Sequence, residues 1–248
     1  MVLQRSAATL AATLSILILP PLHAQQDKPV GIKGETVARS ASGGRLHDRP
    51  RVEIRTELGT LVVELYNETP LHRDNFLKLA REHYYDSLLW HRVIPAFMVQ
   101  GGDPGSKGAE PGAQLGNGGP EYTIPAEILP QFIHKKGVLA AARQSDQMNP
   151  EQMSSGSQFY IVQGKSYTAQ DLEMIMQRGA RSGKPVTYST EQIAAYTSLG
   201  GAPHLDGGYT AFGEVVQGLE LIDKIAAVDR DAADRPLADI HMWMRVLE

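Results

Sequence analysis

The sequence predicts a mainly β fold, an antiparallel barrel or sandwich. Short segments in which apolar and polar residues alternate recur along the chain, as expected of half-buried strands. Glycine- and proline-rich stretches separate these segments, and only two strong helical patterns lie outside a late insertion. With 248 residues, of which 42% are hydrophobic and 21% charged, the chain is long enough to bury a core.

The first 24 residues have the pattern of a secretory signal peptide. Arg5 precedes an apolar run, and Leu22-His23-Ala24 favours cleavage after Ala24. The run is too short for a typical membrane span, although an uncleaved anchor stays an alternative. After cleavage we expect no stable membrane insertion.

Composition excludes several classes of site. The chain has no cysteine, which excludes disulfides and cysteine-based metal sites. Without residues 1–24 it carries 23 basic and 28 acidic residues, a formal charge of −5, so no nucleic-acid partner is expected. His72 and His83 are eleven positions apart with no acidic partner placed beside them, so we expect no metal and no cofactor.

Residues 25–50 are polar, rich in glycine, serine, arginine and lysine, and without periodicity. We interpret them as a flexible linker. Residues 51–56 then alternate apolar and polar, Leu58-Gly59 forms a turn, and residues 60–65 alternate again. This pattern predicts a hairpin with one buried face.

A helix should follow over residues 71–83. Thr69 is placed to be its N-cap and Pro70 its first residue. Its expected inward stripe consists of Phe76, Leu79, Ala80 and His83.

Five later segments complete the predicted fold. Residues 137–142 form a strand of small side chains, and residues 158–162 a strand with Phe159 and Tyr160 on opposite faces. A strand at 210–215, a helix at 219–227 and a last strand at 240–246 follow.

Residues 164–203 contain two helix-start patterns, Thr168 to Asp171 and Ser189 to Gln192, each resembling a capping box. Short helices need packing for stability, so we predict a helical flap beside the site. The alternative, which we favour from sequence alone, is a tolerated surface insertion without a role.

The most informative stretch is W-H-R-V-I-P-A-F-M-V-Q-G-G-D at residues 90–103. Alone it fits equally well a buried strand that enters a glycine loop, with Pro95 and Ala96 shifting the register. However, it resembles F-H-R-V-I-x-x-F-M-x-Q-G-G-D, the signature of cyclophilin-type peptidyl-prolyl isomerases. G-V-L-A-A-A-R at 137–143, S-G-S-Q-F-Y-I at 155–161 and H-L-D-G-G-Y-T-A-F-G at 204–213 match in family order.

The resemblance covers roughly residues 51–248. It implies a closed eight-stranded antiparallel barrel with a helix over each open end, here the helices at 71–83 and 219–227, and the helical insertion added. It also implies acceleration of cis-trans exchange at X-Pro bonds.

The resemblance further implies two catalytic residues. Arg92 would donate to the proline nitrogen, and Gln100 would bind the substrate backbone and help to hold Arg92. The implied substrate-binding residues are Phe97, Met98, Ala142, Arg143, Gln158, Tyr160, His204, Leu205 and Tyr209.

Arg143 stands where many eukaryotic members have Asn. Three positions depart from the eukaryotic pattern: Tyr160 replaces Phe, His204 replaces Trp and Tyr209 replaces His. These departures resemble the bacterial, exported subgroup. They imply weak cyclosporin binding, because the Trp position contacts that drug.

The sequence therefore predicts a monomeric, exported isomerase, periplasmic in location, which acts on proline-containing polypeptides such as unfolded or flexible exported proteins. The alternative is a non-catalytic proline-peptide-binding chaperone on the same fold. A hydrolase is disfavoured because Ser155 and Ser157 do not lie in G-x-S-x-G.

Overall fold

The computed structural model describes residues 49–247. The predicted signal peptide and nearly all of the predicted linker lie outside these residues. Arg49 and Pro50, the last two linker residues, do belong to the fold: Arg49 pairs with Glu68 at 3.1 Å, and the Pro50 carbonyl accepts from Leu65 N at 2.9 Å. The linker prediction was therefore too long at its end.

Eleven strands are present in the described range, and the predicted first hairpin is confirmed by β1 and β2. The strands are β1 (Arg51–Thr56), β2 (Gly59–Leu65), β3 (Leu88–Leu89), β4 (Arg92–Ile94), β5 (Met98–Gly101), β6 (Thr123–Ile124), β7 (Val138–Ala141), β8 (Ser154–Ser155), β9 (Phe159–Val162), β10 (Ala211–Gln217) and β11 (His241–Leu247).

Four α-helices and two short 3-10 helices accompany these strands in the described part of the chain. The α-helices are α1 (Pro70–Arg81), α2 (Ala169–Arg181), α3 (Thr190–Ser198) and α4 (Glu220–Ala226), and the 3-10 helices are Pro104–Ser106 and Pro203–Leu205. None of the helices in this range has the length and apolar character that crossing a bilayer requires.

The predicted mainly β, antiparallel architecture is confirmed. Nine strands form one sheet in the order β3-β11-β1-β2-β10-β7-β9-β5-β4, and β6 pairs with β8 separately. The first and last long strands are neighbours, with Val52 opposite Val246 and Ile54 opposite Met244.

Closure and the count of eight strands are not confirmed. The sheet has nine strands, and no ladder joins its edge strands β3 and β4 within residues 49–247. Only Trp90 and His91 separate those strands in the chain, so the sheet curls strongly into a half-barrel. The backbone donors there bond elsewhere, Trp90 N to Ile240 O at 2.9 Å and Val93 N to Asp234 O at 2.8 Å.

Two apolar clusters cover opposite faces of the strands that carry the site. On β9, Phe159 and Ile161 join the main core with α1 and α4, whereas Tyr160 and Val162 join a second cluster with Met98 and others. The predicted opposite orientation of Phe159 and Tyr160 is confirmed. The second cluster is the floor of the site described below.

Helix α1 departs from prediction at both ends. Thr69 makes no side-chain cap; instead Glu127 accepts hydrogen bonds from Leu71 N at 3.1 Å and His72 N at 3.0 Å. His83 lies beyond the helix at a φ of +56° and is exposed. Its assignment to the inward stripe was wrong because the helix ends at Arg81.

The two insertion helices are confirmed, and both capping boxes are formed, at Thr168 with Asp171 and at Ser189 with Gln192. The helices share a small apolar core centred on Leu172, Tyr196 and Ile133 of the main domain.

Candidate active site

The site is built on the hairpin of β4 and β5. Arg92 lies directly opposite Gln100 in this pair, so the two side chains share one face. The chain turns between the strands, with Ala96 at a φ of +59° and Phe97 N donating to Ile94 O at 3.1 Å. A tight turn, rather than a register shift in one long strand, therefore accommodates Pro95 and Ala96.

A cavity of about 170 Å³ opens beside this hairpin. Its lining consists of Arg92, Phe97, Met98, Gln100, Ala142, Arg143, Tyr160, Leu205 and Tyr209. The structure thus brings together nine of the eleven residues implied by the resemblance. The other two, Gln158 and His204, each contact a residue of this lining.

The floor of the cavity is apolar. Met98, Tyr160 and Leu205 are buried and belong to the second apolar cluster, with Phe97 packed against them. His204 is exposed at the rim, where its ring lies 5.2 Å from that of Phe97. The cavity can therefore take a small apolar ring while one side remains open to solvent.

A chain of amide hydrogen bonds runs along the back of the site. Gln158 Nε2 donates to the carbonyl oxygens of Gly116 at 3.0 Å and Gly118 at 2.6 Å. Gln100 Nε2 donates to Gln158 Oε1 at 3.0 Å, and Arg92 lies 3.5 Å from Gln100 Oε1. This last distance is longer than a normal hydrogen bond, so the exposed guanidinium of Arg92 is only loosely held.

The match to known proteins covers the whole of this site. The family model described as cyclophilin type peptidyl-prolyl cis-trans isomerase/CLD matches residues 51–245. This chain belongs to the cyclophilin family. It is 31% identical over 193 residues to peptidyl-prolyl cis-trans isomerase ppi1 of Schizosaccharomyces pombe, an alignment that covers 77% of this cyclophilin and 94% of that protein.

A second relative is a Streptococcus pyogenes protein whose name pairs a phosphatase with a peptidyl-prolyl cis-trans isomerase. The identity is 35% over 199 residues, which cover 78% of this cyclophilin but only 38% of the longer protein. Family membership and the names of these relatives support an isomerase.

The fold is also similar to a solved structure, that of a Cryptosporidium parvum cyclophilin type peptidyl-prolyl cis-trans isomerase in the presence of the dipeptide Ala-Pro. The TM-score is 0.55 and the identity 25%, with 80% of this cyclophilin and 99% of that chain covered.

Arg143 lines the cavity, but its side chain is bound by the protein itself. Its guanidinium is covered: Nε donates to Gly208 O at 2.7 Å, a terminal nitrogen pairs with Asp146 at 2.7 Å, and the group lies 4.4 Å over the Tyr209 ring. Arg143 is thus a wall of the cavity in this cyclophilin, which leaves Arg92 as the exposed cation of its lining.

Ala142 is also less available than expected, because its N–H donates to Gln158 O at 3.0 Å and its carbonyl accepts from Ser155 N at 2.8 Å. The backbone N–H and carbonyl of Arg143 make no hydrogen bond within residues 49–247. A bound peptide would therefore pair with the backbone of Arg143.

Sequence reasoning missed a second, larger cavity of about 590 Å³ that shares Gln100, Ala142 and Arg143 with the first. Residues 116–120 form one side of it, and Met148 and Met153 lie on the other. In the sequence these residues are recognisable only as glycine turns and a polar segment. The cavity forms only where these distant loops pack together, so no local pattern predicts it.

Burial shifts the pKa of two rings at the site, Tyr160 and His204. Tyr160 is buried, which raises the pKa of its hydroxyl well above the ordinary value. The His204 ring is only partly covered at the rim, and this partial loss of solvent lowers its pKa, an effect to which the nearby His134 adds. Neither ring offers a charged acid or base near neutral pH.

A serine, a histidine and a carboxylate do meet elsewhere in the molecule. Ser154 Oγ lies 2.9 Å from His72 Nε2, and His72 Nδ1 lies 2.7 Å from Glu127. However, Ser154 is only 1% exposed and His72 2%, so no ester or amide can reach the hydroxyl. These three residues connect β8 and the loop containing Glu127 to α1 by hydrogen bonds. A hydrolase activity remains disfavoured.

Proposed function

We propose that this cyclophilin is an exported prolyl isomerase of the bacterial type, in which Arg92 accelerates rotation about X-Pro bonds of folding polypeptides. The observation that carries the proposal is the loosely held, exposed guanidinium of Arg92 at the mouth of a small apolar cavity. A proline ring would occupy the cavity, between Phe97, Met98 and Leu205.

The chemistry requires no nucleophile. The X-Pro amide rotates over a barrier of about 18–20 kcal/mol because it is conjugated, and the uncatalysed exchange takes tens to hundreds of seconds. A typical enzyme turnover needs that barrier lowered by roughly 4 kcal/mol. Twisting the amide returns a lone pair to the proline nitrogen, so a donor aimed at this nitrogen stabilises the twisted state in preference to the planar one.

Arg92 is suited to this role. A guanidinium stays protonated and donates hydrogen bonds in a fixed plane. Arg92 makes only one long contact with the protein, to Gln100 Oε1 at 3.5 Å, so its N–H groups remain available to a substrate. Gln100 would steady the guanidinium from one side and bind the substrate backbone. The apolar floor would strengthen the new hydrogen bond by excluding water.

The proposed substrates are flexible polypeptides that contain proline. A related structure was determined in the presence of Ala-Pro, and the open rim at His204 leaves room for chain on either side of a bound ring. We propose that the protein is a monomer, and a molecular mass of a dimer measured by light scattering would contradict this.

Export rests on the signal-like pattern of residues 1–24 and on the bacterial character of Tyr160, His204 and Tyr209. If the full chain is expressed in a Gram-negative host, we expect a periplasmic product that begins at Gln25, as read from its intact mass. An uncleaved chain that stays in the cytoplasm would contradict export without affecting the isomerase proposal.

Activity is tested by cis-trans exchange of a short Ala-Pro peptide, followed by NMR, with Arg92→Ala and Arg92→Lys. Because one positioned donor is worth about 100-fold in rate, we expect Arg92→Ala to lower kcat by about that factor. Arg92→Lys should recover part of it, since it keeps the charge but loses the planar fork.

Arg245→Ala is the matched control, because Arg245 is another exposed strand arginine, on β11 outside the cavity. Peptide binding without acceleration by the unmodified protein would favour the chaperone alternative. Acceleration that survives Arg92→Ala would disprove the role of Arg92.

A further inference from the structure

The helical insertion, residues 164–203, is tied to the rim of the cavity by a buried carboxylate. Tyr188 and Tyr196, both in the insertion, direct their hydroxyls at Asp206 Oδ2, at 2.8 Å and 2.5 Å. The Asp206 side chain is only 5% exposed. A surface insertion without a role would not be expected to place two hydroxyls on a buried charge.

The other oxygen of Asp206 is bound to the main domain. Oδ1 lies 2.8 Å from His134 N and 2.8 Å from His134 Nδ1. The carboxylate is therefore shared between His134 and the two insertion tyrosines. A buried carboxylate deprived of donors is strongly destabilised, so these three partners hold Asp206 in one place.

The position of Asp206 matters because Leu205, the preceding residue, forms part of the cavity floor. Both residues lie at the end of the short helix Pro203–Leu205, where Asp206 N donates to Pro203 O at 3.3 Å. Tyr188 Oη also reaches Pro203 O at 3.3 Å. A displacement of the carboxylate would therefore be passed directly to the Leu205 side chain.

A second contact joins the insertion to Arg143, which also lines the cavity. Lys184 Nζ pairs with Asp146 at 2.7 Å, Asp146 pairs with Arg143, and Arg143 donates to Gly208 O. Exposed pairs of this kind contribute little individually, so the buried Asp206 contact is the one expected to dominate.

We propose that the insertion sets the shape of the proline cavity, with Tyr188 and Tyr196 acting through Asp206 as positioning residues. This inference rests on the proposed function, because it assigns the cavity to the proline ring. The insertion would then hold Leu205 against the ring in every state of the bound amide, planar or twisted.

A contact made equally in the planar and twisted states changes KM rather than kcat. For the double variant Tyr188→Phe/Tyr196→Phe we therefore expect KM for an Ala-Pro peptide to rise about fivefold or more, a usual size for coupling between sites. The kcat should stay within about twofold. The single variants should give smaller increases, and they replace the double variant if its circular dichroism shows that it does not fold.

Tyr167→Phe is the matched control. Tyr167 packs in the same apolar cluster, with its ring 6.2 Å from that of Tyr196, but it takes no part in the contact with Asp206. Its KM and kcat should match those of the unmodified protein.

A readout independent of turnover is the 13C-methyl spectrum of Leu205 and Met98, recorded with and without the peptide. We expect both methyl signals of the free protein to shift in the Tyr188→Phe/Tyr196→Phe variant and not in Tyr167→Phe, and the peptide Kd to rise with KM. Unchanged methyl signals and unchanged peptide affinity in the double variant would overturn the proposal, even if the unmodified protein proved to bind without catalysis.

Discussion

The orientation of the Gln158 side-chain amide determines the orientation of the Gln100 amide and so which atom of Gln100 faces Arg92. Gly116 and Gly118 offer it two carbonyl oxygens, and only the NH₂ group can donate to them. Its oxygen must therefore face Gln100, whose NH₂ group donates to it. The oxygen of Gln100 is then the atom left for Arg92, so two backbone carbonyls orient the two residues that we propose to be catalytic.

Gln100→Glu tests this orientation at a single residue. A carboxylate has nothing to donate to Gln158 Oε1 and would instead draw the Arg92 guanidinium into an ion pair. We expect kcat for Ala-Pro exchange to fall by about tenfold or more, because the donor is taken from the proline nitrogen.

The free energy of unfolding of Gln100→Glu should fall by about 1–3 kcal/mol, because Gln158 Oε1 loses its donor. Activity is therefore compared under conditions in which circular dichroism shows the variant to be folded. Gln217→Glu is the comparison, since Gln217 is an exposed strand residue on β10 and lies outside the cavity. Full activity in Gln100→Glu would show that Arg92 does not depend on this oxygen.

At the scale of elements, the N-terminus of α1 is capped by the side chain of a residue from a distant loop. Glu127 binds the amides of Leu71 and His72 together with the His72 ring, and a carboxylate there also complements the helix dipole. Thr69, the cap that local sequence favours, makes only a long contact of 3.4 Å to Tyr66 O.

We therefore expect Glu127→Ala to lower the free energy of unfolding by about 2 kcal/mol or more, as lost hydrogen bonds to a charged group do. Thr69→Val, which keeps the shape of the side chain, should cost less than about 1 kcal/mol. Urea unfolding measures both, and the reverse ranking would restore Thr69 as the functional cap.

For the whole molecule, stability should depend on pH through buried histidines. His91 is 3% exposed, and neither ring nitrogen has a hydrogen-bond partner within the described residues. Burial lowers its pKa to about 4, although Asp103 opposes the shift; Arg92 and Arg235 are the cations that act on it. Burial also lowers the pKa of His72.

Because the unfolded chain binds these protons more readily, the folded protein is most favoured above pH 6.5 and loses stability as the pH falls toward 4. For His91 the loss is on the order of 3 kcal/mol. Urea midpoints between pH 7 and pH 4 measure it, and His91→Phe should flatten the slope. An equally steep slope in His91→Phe would exclude this ring as a cause.

The parts of the molecule that local pattern determines were predictable from sequence. The hairpin β1–β2 has a period of two, and α2 and α3 begin at formed capping boxes. The cavity residues followed from the family motifs. What failed depended on a distant partner: Glu127, and not the predicted Thr69, accepts from the first amides of α1.

The contacts of Asp206 could not be predicted from sequence either. Asp206 stands in a matched motif, yet its partners Tyr188 and Tyr196 lie in the segment that departs from the family pattern. No local signal connects a tyrosine in an insertion to a carboxylate beside the cavity, so the sequence favoured an insertion without a role.

The short edge strands affect how readily this protein would aggregate with unfolded polypeptides. The nine-stranded sheet ends in β3, with two residues, and β4, with three. Long, flat sheet edges act as templates that recruit foreign strands and seed aggregates, and a protein proposed to handle unfolded polypeptides meets such strands continually. Edges this short offer an unfolded polypeptide few backbone groups for strand pairing. We therefore expect such a polypeptide to dissociate from the edge of the sheet rather than to aggregate with the protein.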